Sequence, residues 1–128
     1  MKSMAVVLLK PGVMQIQEFQ VSPIKSDEVL LRVERVAMCG SDLQRFAGKS
    51  SRVHLPIILG HEIVGRVAEI GQQAAKAYKV ASGDRIVVEP YLACGYCAYC
   101  SSGRYQLCDL GRCYGVTLTC DRPPHLLG

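Results

Sequence analysis

The hydrophobic and polar positions of this chain fall into short alternating runs, separated by turns rich in glycine, proline and serine. Residues 5–9 are apolar and partly β-branched, and they predict a strand. Residues 15–21 alternate less cleanly, with Ile16, Glu18 and Gln20 on one side and Gln17, Phe19 and Val21 on the other. Pro11-Gly12 separates these two runs, and Ser22-Pro23 with Ser26-Asp27 marks the next turn. Residues 28–37 give the longest run, in which Val29, Leu31, Val33 and Arg35 alternate with Leu30, Arg32, Glu34 and Val36. Two further strands are expected: residues 63–70, bounded by Gly60 and Gly71, and residues 85–88, after the Ser82-Gly83-Asp84 turn. Residues 41–47 predict one short helix, capped by Ser41 or Asp42 and ended by Gly48. Many short strands with such turns predict an all-β barrel or sandwich.

After Pro90 the periodicity fades. Residues 91–128 are loop-rich and punctuated late by Pro123-Pro124. A segment of that length is uncommon in a compact domain unless something other than an apolar core holds it. The cysteines offer a candidate, since all but Cys39 lie between positions 94 and 120. Cys94, Cys97, Cys100 and Cys108 form the pattern C-x2-C-x2-C-x7-C, and four thiolates so spaced are what structural zinc prefers. Gly95 and Gly103 permit the tight turns that aim several sulfurs inward. Buried or disulfide-bonded cysteines are an alternative, and so is an iron–sulfur cluster. In ferredoxin motifs, however, the fourth cysteine usually comes sooner and precedes proline, whereas Cys108 precedes Asp109. Cys113 and Cys120 lie outside the pattern and read as buried or spare thiols.

Composition narrows the function classes. With 128 residues, 49% hydrophobic and 20% charged, the chain is one folded domain with a core of its own. The net charge of +4 is scattered, without a run of basic residues, so no nucleic-acid partner is expected. No apolar stretch approaches the roughly 18 residues that cross a bilayer, and no membrane association is expected. The cysteine count of seven is odd and the thiols are clustered; with no signal-peptide pattern, this predicts a reducing, cytoplasmic setting.

A second constellation stands earlier in the chain. Cys39-Gly40-Ser41-Asp42 follows a predicted strand, and Gly60-His61-Glu62 precedes another. A cysteine, a histidine and a carboxylate are the ligand types of a catalytic zinc with an open coordination position. A lone histidine beside a strand is more often structural, and a single cysteine is often only a small apolar residue, so the pattern alone leaves those readings open.

Gly60-His61-Glu62-Ile63-Val64-Gly65, followed by Gly71 and Ala74, resembles the zinc alcohol dehydrogenase signature G-H-E-x2-G-x5-G-x2-small. Cys39-Gly40-Ser41-Asp42 is similar to the family's C-G-[ST]-D segment, Gly83-Asp84-Arg85-Ile86-Val87 to its G-D-R-V strand, and Cys94 to Cys108 to its structural-zinc lobe. The four motifs occur in family order over about residues 28–115. The resemblance is to the N-terminal catalytic domain of zinc-dependent medium-chain alcohol dehydrogenases. It implies a mainly β, GroES-like, partly open barrel over residues 1–128, with a cysteine-rich zinc lobe at about 91–115.

The resemblance also implies roles. Cys39 and His61 would bind a catalytic zinc, with Glu62 as a ligand or exchanging with water. Asp42 would hydrogen-bond His61 and fix its tautomer. Ser41 would contact the hydroxyl of a small alcohol or polyol and begin a proton relay. Cys94, Cys97, Cys100 and Cys108 would hold a structural zinc. In many relatives the relay continues to a histidine three residues after the serine, where this chain has Gln44. No G-x-G-x-x-G is present, so the Rossmann domain and its NAD or NADP belong outside these residues. The family's last catalytic-zinc ligand and its G-G-[FY]-A-E-Y strand are also missing. The chain is therefore expected to be a fragment or truncated product, inactive alone and open to self-association. A zinc-stabilised GroES-like binding module without catalysis is the competing expectation.

Overall fold

The computed structural model describes residues 1–51 and 53–120; Pro123-Pro124 lies outside the described residues. Eight strands and a few short helices follow in the order β1 (Lys2–Lys10), β2 (Val13–Gln20), β3 (Val29–Ala37), α1 (Gly40–Phe46), β4 (Ile57–Ile58), β5 (Glu62–Ile70), α2 (Gln72–Tyr78), β6 (Arg85–Val87), β7 (Tyr91–Leu92), α3 (Ala98–Ser101) and β8 (Arg112–Cys113), with one 3-10 turn at Tyr105–Leu107. The strands pair in three small sheets, ordered β2-β1-β4, β3-β5-β6 and β7-β8. This is a mainly β, open-sheet architecture, as the resemblance implies. The first two sheets leave between them a groove of about 530 Å³, lined by Met4, Val6, Leu31, Val33, Val36 and Ile58 among others.

The alternation in the sequence becomes register. Strands β1 and β2 form an antiparallel pair in which Ser3 faces Phe19 and Val6 faces Ile16. The irregular pattern of β2 is resolved by exposure: Gln17 and Phe19 turn inward, whereas Ile16 stays outside. Strand β3 pairs antiparallel with β5, and two irregularities interrupt the ladder, the second placing one extra residue, Glu34, between Val33 and Arg35. Gly65 faces Val33 beside this irregularity. A Cβ there would strike the Arg32 carbonyl, so the close approach of β3 and β5 requires glycine. The core is built on Val7, Leu8, Leu30, Ile57, Ile63 and Val67, all nearly or fully buried.

Helix α2 and strand β4 lie where the sequence reading expected neither. Residues 72–78 lack an amphipathic period, and the N-cap, Gly71, has no capping side chain. The first turn is instead capped from a distance, since the Gln73 and Ala74 N–H groups both donate to the Ser26 carbonyl. Strand β4 is only two residues long, held against Val7 and Leu8 of β1. Among the described residues, no helix is long and apolar enough to cross a membrane.

Leu8 and Met4 lie on the same strand, yet Leu8 is fully buried and Met4 is 63% exposed. Leu8→Ala should lower unfolding free energy by about 2–5 kcal/mol, and Met4→Ala by no more than about 0.5 kcal/mol. Urea unfolding followed by circular dichroism compares them; equal losses would place the core elsewhere.

Candidate metal centres

The first centre is assembled where β3 hands over to α1. Cys39 is the N-cap, with extended backbone, and its Sγ accepts from the Ser41 N–H at 3.3 Å. Asp42 closes the cap from the other side, its Oδ2 accepting from the Cys39 N–H at 3.0 Å. The sequence reading put Ser41 or Asp42 at the cap; it is Cys39, because Asp42 reaches back to the Cys39 N–H and leaves the sulfur to face the helix. Gly48 lies just past the helix in a left-handed conformation, as expected, and its N–H donates to the Arg45 carbonyl.

His61 enters from the start of β5. Its Nε2 lies 3.5 Å from Cys39 Sγ. The sulfur, the imidazole and a Glu62 carboxylate oxygen all lie within 4.8 Å of one another, so two segments 22 residues apart in sequence bring three potential ligands to one point. His61 Nδ1 faces Asp42 Oδ1 at 3.7 Å, beyond hydrogen-bond reach, and has no partner among the described residues. The Asp42–His61 hydrogen bond that the resemblance implies is therefore not formed here, although the two groups face one another. Asp42 is fully buried and Glu62 exposed. Ser41 Oγ lies 2.8 Å from Cys39 Sγ. Gln44 points to solvent, whereas Arg45, to which the sequence reading gave no role, is buried and donates to Ser41 Oγ at 2.7 Å. The signal that could have exposed it is helical spacing, which puts residues 41 and 45 on one face.

The second centre is the lobe. Strands β7 and β8 pair Tyr91 with Cys113 and Leu92 with Arg112, which closes the segment between them. Inside it the sulfurs of Cys94, Cys97, Cys100 and Cys108 lie within 4.8 Å of one another, and none is in a disulfide. Backbone N–H groups converge on them: Cys97 N donates to Cys94 Sγ and Cys100 N to Cys97 Sγ, each at 3.4 Å. The N–H groups of Cys94 and Leu110 hold the Cys108 thiol down at about 6. Those of Asp109 and Cys100 lower that of Cys97. Cys100 goes the other way: the Gly95 N–H favours its thiolate, but burial and the neighbouring thiols push it up to about 11. Such a cluster takes up negative charge in steps and suits a soft divalent cation. Cys113 and Cys120 are buried and lie outside both ligand clusters.

Both donor sets fit zinc by their chemistry, four sulfurs in one case and sulfur, imidazole and carboxylate in the other. Compared with known proteins, residues 25–122 match the family model described as the alcohol dehydrogenase GroES-like domain. Sorbitol dehydrogenase of Bacillus subtilis is 41% identical over 107 residues, covering 81% of this chain and 30% of its own length. An alcohol dehydrogenase structure from Thermotoga maritima superposes with a TM-score of 0.85 at 36% identity, covering all of this chain and 36% of that one. A zinc-binding dehydrogenase of Sinorhizobium meliloti, solved with NADP, gives 0.77 at 31% identity, over 91% of this chain and 33% of that one. The chain thus spans about a third of the length of these relatives.

One outcome is expected of the lobe. Metal analysis should show that Cys100→Ser loses about one zinc equivalent, while Cys113→Ser loses none; equal loss from both would dissolve the four-cysteine assignment.

Proposed function

The chain belongs to the zinc-dependent medium-chain alcohol dehydrogenases, whose GroES-like domain it carries, and on that premise we propose that it is the zinc- and substrate-binding part of an NAD(P)-dependent dehydrogenase of alcohols or polyols. The observation that carries this reading is the convergence of Cys39, His61 and Glu62 within 4.8 Å beside Ser41. Cys39 and His61 would hold the catalytic zinc, with Glu62 as the exchangeable third ligand. Cys94, Cys97, Cys100 and Cys108 would hold a structural one. A zinc ion held there would supply Lewis acidity toward an alcohol oxygen, making the attached carbon a better hydride donor.

The remaining work falls to the chain's own side chains. Asp42, buried between Cys39 and His61, orients both: it anchors the backbone of one and faces the ring of the other. Ser41 contacts the substrate hydroxyl, and its Oγ beside Cys39 Sγ supports that role. Gln44 is exposed and cannot act as a base, so the proton leaves to water and not through residue 44. The hydride acceptor is a nicotinamide cofactor, a reading supported by the likeness to the Sinorhizobium structure bound to NADP. The chain contains no glycine-rich dinucleotide fingerprint, so that cofactor is held by a separate nucleotide-binding domain and the 128 residues alone are inactive. A polyol substrate class is favoured by the likeness to sorbitol dehydrogenase.

Zinc titration of the metal-free chain should show two unequal steps. The lobe fills first, because its four ligands lie within one short segment and folding is coupled to binding. The Cys39, His61 and Glu62 centre fills second, roughly 10–100-fold more weakly, and Cys39→Ser removes only that step. Calorimetry with NAD and NADP should show no saturable binding, and mixing with a relative's nucleotide-binding domain should restore alcohol-dependent cofactor reduction. A second zinc step that persists in Cys39→Ser, or its absence from the unaltered chain, would refute the catalytic-centre reading.

A further inference from the structure

Arg45 is a buried cation in a helix that exposes its neighbours. Its side chain is 8% exposed, while Leu43, Gln44 and Phe46 on the same two turns face outward. It lies one turn after Ser41, on the same face. One nitrogen, Nη1, reaches both Ser41 Oγ at 2.7 Å and Asp42 Oδ1 at 3.4 Å. Its Nε is buried and has no hydrogen-bond partner among the described residues. A buried guanidinium with one N–H unsatisfied is a poor way to stabilise a helix face, which an apolar side chain would fill at lower cost.

Guanidinium carries donors only, so Ser41 Oγ accepts from Arg45 and keeps its proton and one lone pair for other partners. Cys39 Sγ lies 2.8 Å away, a separation that by itself allows either atom to donate. When Cys39 binds a metal as a thiolate the sulfur has no proton, so the serine donates and the sulfur accepts, and the Arg45 contact holds Oγ in that orientation. Cys39 Sγ then receives two donors from one residue, the Ser41 hydroxyl and the Ser41 N–H at 3.3 Å. One Ser41 lone pair stays free to accept from a further hydroxyl.

We propose that Arg45 is a positioning residue that fixes the direction of the Ser41 hydroxyl, making it a donor to the Cys39 ligand and an acceptor toward a substrate alcohol. This rests on the reading of Cys39, His61 and Glu62 as a metal centre. Arg45 touches neither metal nor substrate; it acts through Ser41 and balances the Asp42 carboxylate. Without it, the Ser41 hydroxyl is free to rotate away from the sulfur, and the donor strength of Cys39 toward a metal changes.

Cobalt(II) titration of the full chain tests this, with the Cys39-dependent sulfur-to-cobalt absorption defined by its disappearance in Cys39→Ser. Circular dichroism first establishes that each variant is folded. Arg45→Gln should shift that band and weaken cobalt binding at this centre about 10–100-fold, leaving the lobe's binding unchanged. Ser41→Ala should produce a similar loss, and the double variant should lose little more than either single one. Arg45→Lys, which keeps a donor and the charge, should recover part of the band position even if Arg45→Gln fails to fold. A folded Arg45→Gln with the wild-type band and affinity would overturn the proposal, and so would strictly additive losses. A wild-type protein with no Cys39-dependent band would overturn the metal-centre reading as well, which separates the two failures.

Discussion

The carboxylate of Asp42 has no solvent exposure, and the groups around it are all parts of the first centre. It accepts from the Cys39 N–H at 3.0 Å, meets Arg45 Nη1 at 3.4 Å and faces His61 Nδ1 at 3.7 Å. Burying a carboxylate costs several kcal/mol unless donors and positive charge surround it. That demand ties three segments together: the end of β3, the first turns of α1 and the entry to β5. Asp42 thus sits beside both partners of the 3.5 Å approach between Cys39 Sγ and His61 Nε2, without being one of the three potential ligands. A site organised in this way is built on a helix cap and a strand end, both firmer than a loop.

The lobe meets a different constraint. Its large side chains Tyr96, Leu107 and Leu110 face solvent, and the sulfur groups occupy its interior, with Cys108 and Cys113 among the buried residues. A segment so arranged has no apolar core to hold it, and the two-residue pairing of β7 with β8 is too short to do so alone. What the backbone does provide is a set of N–H donors aimed at sulfur, the electrostatic preparation for thiolates. Both the geometry and the lowered Cys97 and Cys108 thiols favour a cation as the organiser.

The long alternating runs were legible from sequence because burial of one face imposes a period of two, and β1, β2, β3, β5 and β6 lie within a few residues of their expected bounds. What escaped was specified from outside the local segment. Helix α2 takes its cap from the Ser26 carbonyl and ends on Lys79 in a left-handed conformation that usually signals glycine or asparagine. Strand β4 exists only because β1 offers it an edge. The Cys39 cap was hidden because cysteine is not among the usual capping residues. Spacing alone made the lobe's ligand set visible, whereas Cys39 and His61, candidates by residue type, were singled out over the structural alternatives only by the resemblance of their motifs. Arg45 stayed hidden because an isolated arginine reads as a solvated surface charge.

The two centres are separate in chemistry but joined in backbone. Gly60, the residue before His61, has a φ of +99°, and a Cβ there would collide with Val36 Cγ1. Gly115, just beyond β8, has a φ of +64°, and its Cβ would collide with the Gly60 carbonyl. The turn leaving the lobe thus rests directly on the peptide that aims His61, at a distance no side chain could occupy. Two further main-chain bonds hold that exit in place, from Tyr114 N to the Pro90 carbonyl and from Cys120 N to the Pro56 carbonyl. The exit of the four-cysteine segment and the peptide that aims His61 thus share one backbone-to-backbone contact, which glycine at both positions makes possible. A side chain at either position would have to push the two segments apart.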